Sequence, residues 1–183
     1  MSNNKLLREV AAGAAAGLLA TVPMTVTMLV IQRLLPRRQQ STLEPRRITE
    51  GMLRRVDLKE DLSKKERDRV SVAAHFGYGA TVGALYPLVE GVLPLPRGLR
   101  GPAYGLCVWA ASYAGWLPAV DILPPPQRRP AGRNLLLIAA HLVWGATTEA
   151  VSEALSRRAG ARSVSQLDVD ALPGVVAEAG YKK

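Results

Sequence analysis

The 22 residues from Val10 to Ile31 carry no charged side chain. At 1.5 Å per residue a helix of that length crosses a hydrocarbon core of roughly 30 Å. Lys5 and Arg8 precede the run, as basic residues precede a signal peptide. The run is nevertheless longer than an h-region of about 15 residues, and Gln32-Arg33-Leu34-Leu35-Pro36-Arg37 follows where a small-residue cleavage site would stand. An uncleaved first membrane helix is expected.

Three further stretches repeat the pattern. Val70 to Val89 is uncharged apart from His75, and Ser63-Lys64-Lys65-Glu66 ahead of it has the form of a capping box. Gly101 to Val120 ends at Pro118 and the Pro124-Pro125-Pro126 run, which cannot continue a helix. Asn134 to Leu155 holds Glu149 and Glu153 in its second half, so it is either a full span with a buried carboxylate or a shorter one with a wet end. The expected fold is an all-α integral membrane protein, a four-transmembrane-helix bundle with spans near 10–32, 68–90, 101–120 and 134–155. The polar tail 159–183 has few large apolar residues and is given no fold. Segregation of this kind reconciles 48% hydrophobic content with 21% charged residues.

The net charge of +9 raises the question of nucleic acid. The basic residues flank the apolar segments rather than forming a stripe with interleaved aromatics, so nucleic acid is not an expected partner. The lipid bilayer is, anionic lipid included. Cys107 is the single cysteine and excludes an intramolecular disulfide.

The charged connection 37–69 contains Ile48, Met52, Leu53 and Val56 at helical spacing, with Arg46, Arg47, Arg54 and Arg55 around them. This is an amphipathic helix, lying either at the membrane surface or on the protein's own loops. Counted from Arg33, this connection holds twelve of the 24 basic residues. That excess favours placing it, and the connection after the third span, in the cytoplasm.

Two motifs recur. His75-x-x-Tyr78-Gly79-Ala80-Thr81 reappears as His141-x-x-Trp144-Gly145-Ala146-Thr147, and Gly13-x-x-x-Gly17-Leu18 as Gly101-x-x-x-Gly105-Leu106. They suggest a tandem repeat of two helix hairpins, against the alternative of chance likeness between small-residue helices. Gly13, Gly17, Gly79, Gly83, Gly101, Gly105 and Gly145 are expected at close helix packing, within the bundle or in a homodimer.

An ionisable group at bilayer depth needs a partner inside the bundle. His75 and His141 lie roughly 7 to 11 Å in from the same side. Tyr86 and Glu90 follow the first on one helical face, and Glu149 and Glu153 follow the second. Each histidine is either interhelical glue or part of an intramembrane polar row that passes protons or holds a cation. Paired histidines on facing helices also admit one b-type haem, for which closely packed glycine-rich helices leave little room. No CxxC, HExxH, phosphate loop or Gly-x-Ser-x-Gly elbow is present, and no compact metal-ligand pair occurs. Neither enzymatic activity nor a cofactor is expected, and the alternative to a proton- or cation-responsive row is a non-transporting membrane scaffold or assembly factor whose basic segment holds a cytoplasmic partner or anionic lipid.

His141-Leu142-Val143-Trp144, followed by Glu149 and Arg157-Arg158 and preceded by a proline-rich connection, resembles the last helix of the YagU-like bacterial inner-membrane proteins. His75 with Tyr86 resembles that family's middle helix. The likeness covers roughly residues 70–158 and departs from the family in the charged connection and at Asp121. It implies a multi-pass inner-membrane protein of unassigned activity, with a link to acid stress attributed to the founding member. It singles out His75, Tyr86, His141, Trp144 and Glu149.

Overall fold

The computed structural model describes residues 3–40, 42–57 and 62–170, by backbone alone from 159 onward. Every regular element among these residues is helical. They are α1 (Asn3–Leu34), α2 (Glu44–Arg55), α3 (Lys64–Glu90), α4 (Arg100–Trp109), a π-helical stretch (Ala110–Trp116) running into the short α5 (Leu117–Ala119), and α6 (Ala131–Asp170), with 3-10 turns at Arg37–Gln39 and Pro126–Arg128. α6 continues past the expected fourth span to Asp170, into a tail expected to carry no fold. Residues 171–183 of that tail lie outside the described residues.

α3 starts where its sequence signals a start. Ser63 Oγ accepts from the Glu66 amide at 3.3 Å, and Glu66 Oε2 accepts from the Ser63 amide at 2.7 Å, so the capping box is closed. The four long helical runs alternate in direction. α1 packs against both α3 and α6, α4 packs against α6, and α3 and α4 touch only lightly. Met28, Tyr86, Leu117, Leu136 and Leu137 are completely or almost completely buried between them.

Two helical stretches, Asn4–Leu34 and Ala131–Arg158, are long and apolar enough to cross a membrane. Only 33% of the apolar window of the first is buried, whereas the core helix of a soluble protein is mostly covered. Leu19, Val22, Val26 and Val30 of α1 are each about half exposed or more, as are Val72, Leu85 and Leu88 of α3 and Leu135 of α6. A large uncovered apolar surface of this kind marks a lipid or protein contact.

Both helix pairs cross through glycine. A Cβ on Gly13 would stand 2.5 Å from the Gly83 carbonyl oxygen, and one on Gly17 would overlap the Gly79 carbonyl. In the second pair a Cβ on Gly101 would overlap the Gly145 carbonyl, and one on Gly105 the His141 carbonyl. The crossings repeat, but one helical turn away from the motif alignment: Gly83 stands where Gly145 does, Gly79 where His141 does, and Pro87 where Glu149 does. Backbone approach sets the equivalence, so His75 and His141 match as text without being equivalent in the fold.

α2 packs on α3 of its own chain. A buried ion pair pins it. Arg133 of α6 meets Glu44 at 2.5 Å, with the two side chains 4% and 1% exposed. Arg133 also donates to the Thr42 carbonyl at 3.2 Å and to Gln32 Oε1 at 3.4 Å.

Candidate functional site

Where α3 and α4 part, the bundle holds a cavity of about 290 Å³. α3 contributes Val70, Ala74, His75 and Tyr78, the π-helical stretch and α5 contribute Ser112, Tyr113, Trp116 and Leu117, and His141 of α6 and Met24 of α1 close the back. The apolar face of α2, through Ile48, Met52 and Leu53, roofs it. The lining is overwhelmingly apolar. Its size lies at the lower edge of the roughly 300–1,000 Å³ of small-ligand sites.

The two histidines of the chain both line this cavity. His75 Nε2 lies 3.3 Å from Thr25 Oγ1 of α1, and His141 Nδ1 lies 2.7 Å from the Leu137 carbonyl oxygen. Tyr113 meets the His141 ring edge to face, with centroids 5.6 Å apart. Tyr78 and Ser112 hydrogen-bond to each other at 2.8 Å, joining α3 to the π-helical stretch. That stretch widens the turn, and π-helical segments in α-helices are frequent at functional sites.

The remaining residues of the anticipated row lie elsewhere. Tyr86, Tyr104 and Trp144 stack as a layer beyond the histidines, with centroids 5.4 and 6.0 Å apart. Trp144 Nε1 donates to the Gly17 carbonyl at 3.1 Å, and Tyr104 Oη to the Val82 carbonyl at 2.7 Å. Glu149 is buried past that layer, where Oε1 accepts from the Gly98 amide at 2.8 Å and Oε2 from the Gly101 amide at 2.9 Å. It binds the first turn of α4, where free N–H groups and the helix dipole favour a carboxylate. Glu153 lies nearer the surface, 3.6 Å from Arg157 and 3.9 Å from Arg97. Imidazoles and carboxylates are thus separated by aromatic rings rather than joined in one line.

Of the four basic residues of α2, Arg46 pairs with Glu50 at 3.0 Å and with Asp68 of α3 at 3.1 Å, and Arg55 donates to the Val120 carbonyl. Arg54 is exposed and Arg47 half-buried. Arg129 stacks on the Tyr113 ring at 5.2 Å, and burial lowers its pKa. Thr25, Ser112, Tyr113, Glu44 and Arg133 went unmarked in the sequence reading. Thr21 and Thr25 one turn apart in an uncharged span were a usable signal, whereas nothing local marks a pair as distant in sequence as Glu44 and Arg133.

The fold and site together describe an all-helical protein with an uncovered apolar surface and an apolar cavity lined by both histidines. A family model described as a protein of unknown function, DUF1440, matches residues 26–150, well over half of the chain. The chain belongs to that family. The matched region includes His75, Tyr86, His141, Trp144 and Glu149 but not Gly13 or Gly17. No curated protein and no solved structure matches the chain.

Proposed function

We propose that this is a YagU-like, four-span protein of the bacterial inner membrane, without enzymatic activity, that binds a small apolar molecule in the histidine cavity under control of the protons on His75 and His141. The observation that carries the reading is that both histidines of the chain line one apolar cavity. Membership of a family of unknown function is consistent with the YagU-like resemblance. The acid-stress link of that family's founding member gives a proton-responsive site its setting.

Four spans are supported by length and by surface. α3 has 27 residues, about 40 Å of helix, and in its uncharged run His75 and Tyr78 line the cavity while Ser71 and Tyr86 are buried. Helical backbone from Arg100 to Ala119 passes through the π-helical stretch and kinks at Gly115, whose φ of -103° and ψ of -105° are not helical. Through-bundle conduction has less support, since the aromatic layer and glycine crossings stand between the histidines and Glu149. A haem has less support too, given a cavity of about 290 Å³. A scaffold role for the basic residues of α2 is weakened by the internal use of Arg46 and Arg55. Exposed Arg54 suits anionic lipid. The glycine pairs are occupied within the chain, so a homodimer would need another surface.

The test uses protein in liposomes and a nonpolar fluorophore such as N-phenyl-1-naphthylamine. Wild type is expected to bind it saturably, and Ala74→Trp, which fills the cavity, to lose that binding. Binding is expected to weaken once acidification protonates either ring, because a charged imidazole in an apolar wall disfavours an apolar ligand. Unsaturable partitioning equal in the two proteins would sink the reading.

A further inference from the structure

Hydrogen-bond accounting assigns the protons on both rings. Thr25 Oγ1 donates to the Thr21 carbonyl at 2.7 Å, so its hydrogen is spent and it can only accept from His75 Nε2. His75 therefore carries its proton on Nε2 and leaves Nδ1 as a bare lone pair. The Leu137 carbonyl can only accept, so His141 carries its proton on Nδ1 and leaves Nε2 bare. The two rings hold opposite tautomers, and neither bare nitrogen has a hydrogen-bond partner among the described residues.

Thr49 Oγ1 donates to the Pro45 carbonyl at 2.9 Å, and the bond between Tyr78 and Ser112 spends one of their two hydroxyl hydrogens. The lining contains no lysine or arginine. An apolar wall without a cation gives an anion no charged partner. Two nitrogens with no third His, Cys, Asp or Glu beside them among the described residues also make a poor metal site. An O–H or N–H group on an apolar body is what such a wall satisfies.

We infer that the ligand is an apolar molecule bearing a hydrogen-bond donor, of the phenol or apolar alcohol class, whose donor is received by the bare ring nitrogens of His141 and His75. This deepens the proposed function and rests on its cavity reading.

The experiment displaces the fluorophore from protein in liposomes with 2-naphthol and with its methyl ether, each corrected for partitioning into protein-free vesicles. 2-Naphthol is expected to bind about tenfold more tightly, the cost of leaving a buried acceptor unpaired. In the His75→Phe/His141→Phe variant the preference is expected to vanish while the ether still binds, which also reports a folded cavity. Equal binding of the pair to wild type would overturn the donor assignment and leave the cavity reading standing, whereas no displacement by either would overturn both. A preference that survives in the variant would overturn the role of the rings. ¹⁵N spectra of histidine-labelled protein are expected to show one ring of each tautomer, and two rings of the same tautomer would overturn the accounting.

Discussion

The two sides of the bundle that a twofold repeat would make alike are unlike. Between α1 and α6 the seam is closed: Trp144 reaches the Gly17 carbonyl, and Ala20, Met24 and Met28 belong to the same buried cluster as Leu136, Leu137 and Ala140. Between α3 and α4 the helices barely meet, and the cavity occupies the difference. α1 stays α-helical throughout, whereas the continuation of α4 widens into a π-helix that presents Ser112 and Tyr113. The shared glycine crossings make the frame, and the departures from symmetry make the site.

The largest expected effect tests the pin that holds α2 over the open side. Arg133→Met leaves Glu44 buried and unpaired, and unfolding in detergent is expected to show a loss of about 3–5 kcal/mol. Adding Glu44→Met to it is expected to recover much of that loss. A single-variant cost below about 1 kcal/mol would mean that α2 is held by packing alone.

Next come the crossings, which ought to respond equally if the two pairs are equivalent. Gly17→Ala and Gly105→Ala each press a methyl group into a carbonyl of the facing helix and are expected to cost up to about 3 kcal/mol. Gly77→Ala meets nothing within 4 Å and serves as a control that thermal unfolding should find neutral or stabilised. Markedly unequal losses at Gly17 and Gly105 would break the equivalence.

Glu149→Gln probes a difference between the pairs, since Pro87 occupies the corresponding place in the first. It is expected to lower stability by about 2 kcal/mol through its bonds to the Gly98 and Gly101 amides at the start of α4, with fluorophore binding retained. Loss of binding at unchanged stability would instead join Glu149 to the cavity.

The smallest effect concerns the entry of α3 on the open side. Ser63→Ala is expected to cost about 1 kcal/mol in denaturant unfolding. The Ser63 hydroxyl and amide hold the Glu66 carboxyl below its ordinary pKa. A lowered folded-state pKa means that this contribution is present above the unfolded carboxylate's pKa and is lost as pH falls through the folded one. Ser63→Ala is therefore expected to flatten the acid limb of the stability profile.

Much of this was legible along the chain. The four helical runs, the capping box and the glycines at close approach follow from local pattern, because helix starts, apolar runs and missing side chains are local properties. The two histidines share one cavity because they lie at similar depth from the same end. The register of the repeat was not legible, since the matching motifs pair His75 with His141 while the backbones cross one turn away. Glu149 was read as one end of a row because spacing along a helix cannot report that the Gly98 and Gly101 amides around the start of another helix bind it.

The amino-acid order by itself determined an all-helical chain with long uncharged runs and two imidazoles among them. Hydrophobic periodicity and the cost of unpaired backbone in an apolar medium admit little else. Only the tertiary structure decided which faces close and which part, which carboxylate anchors a helix, and which ring nitrogen is left bare. Those outcomes depend on backbone approach and on hydrogen-bond partners far apart in sequence, and both exist only once the helices have packed.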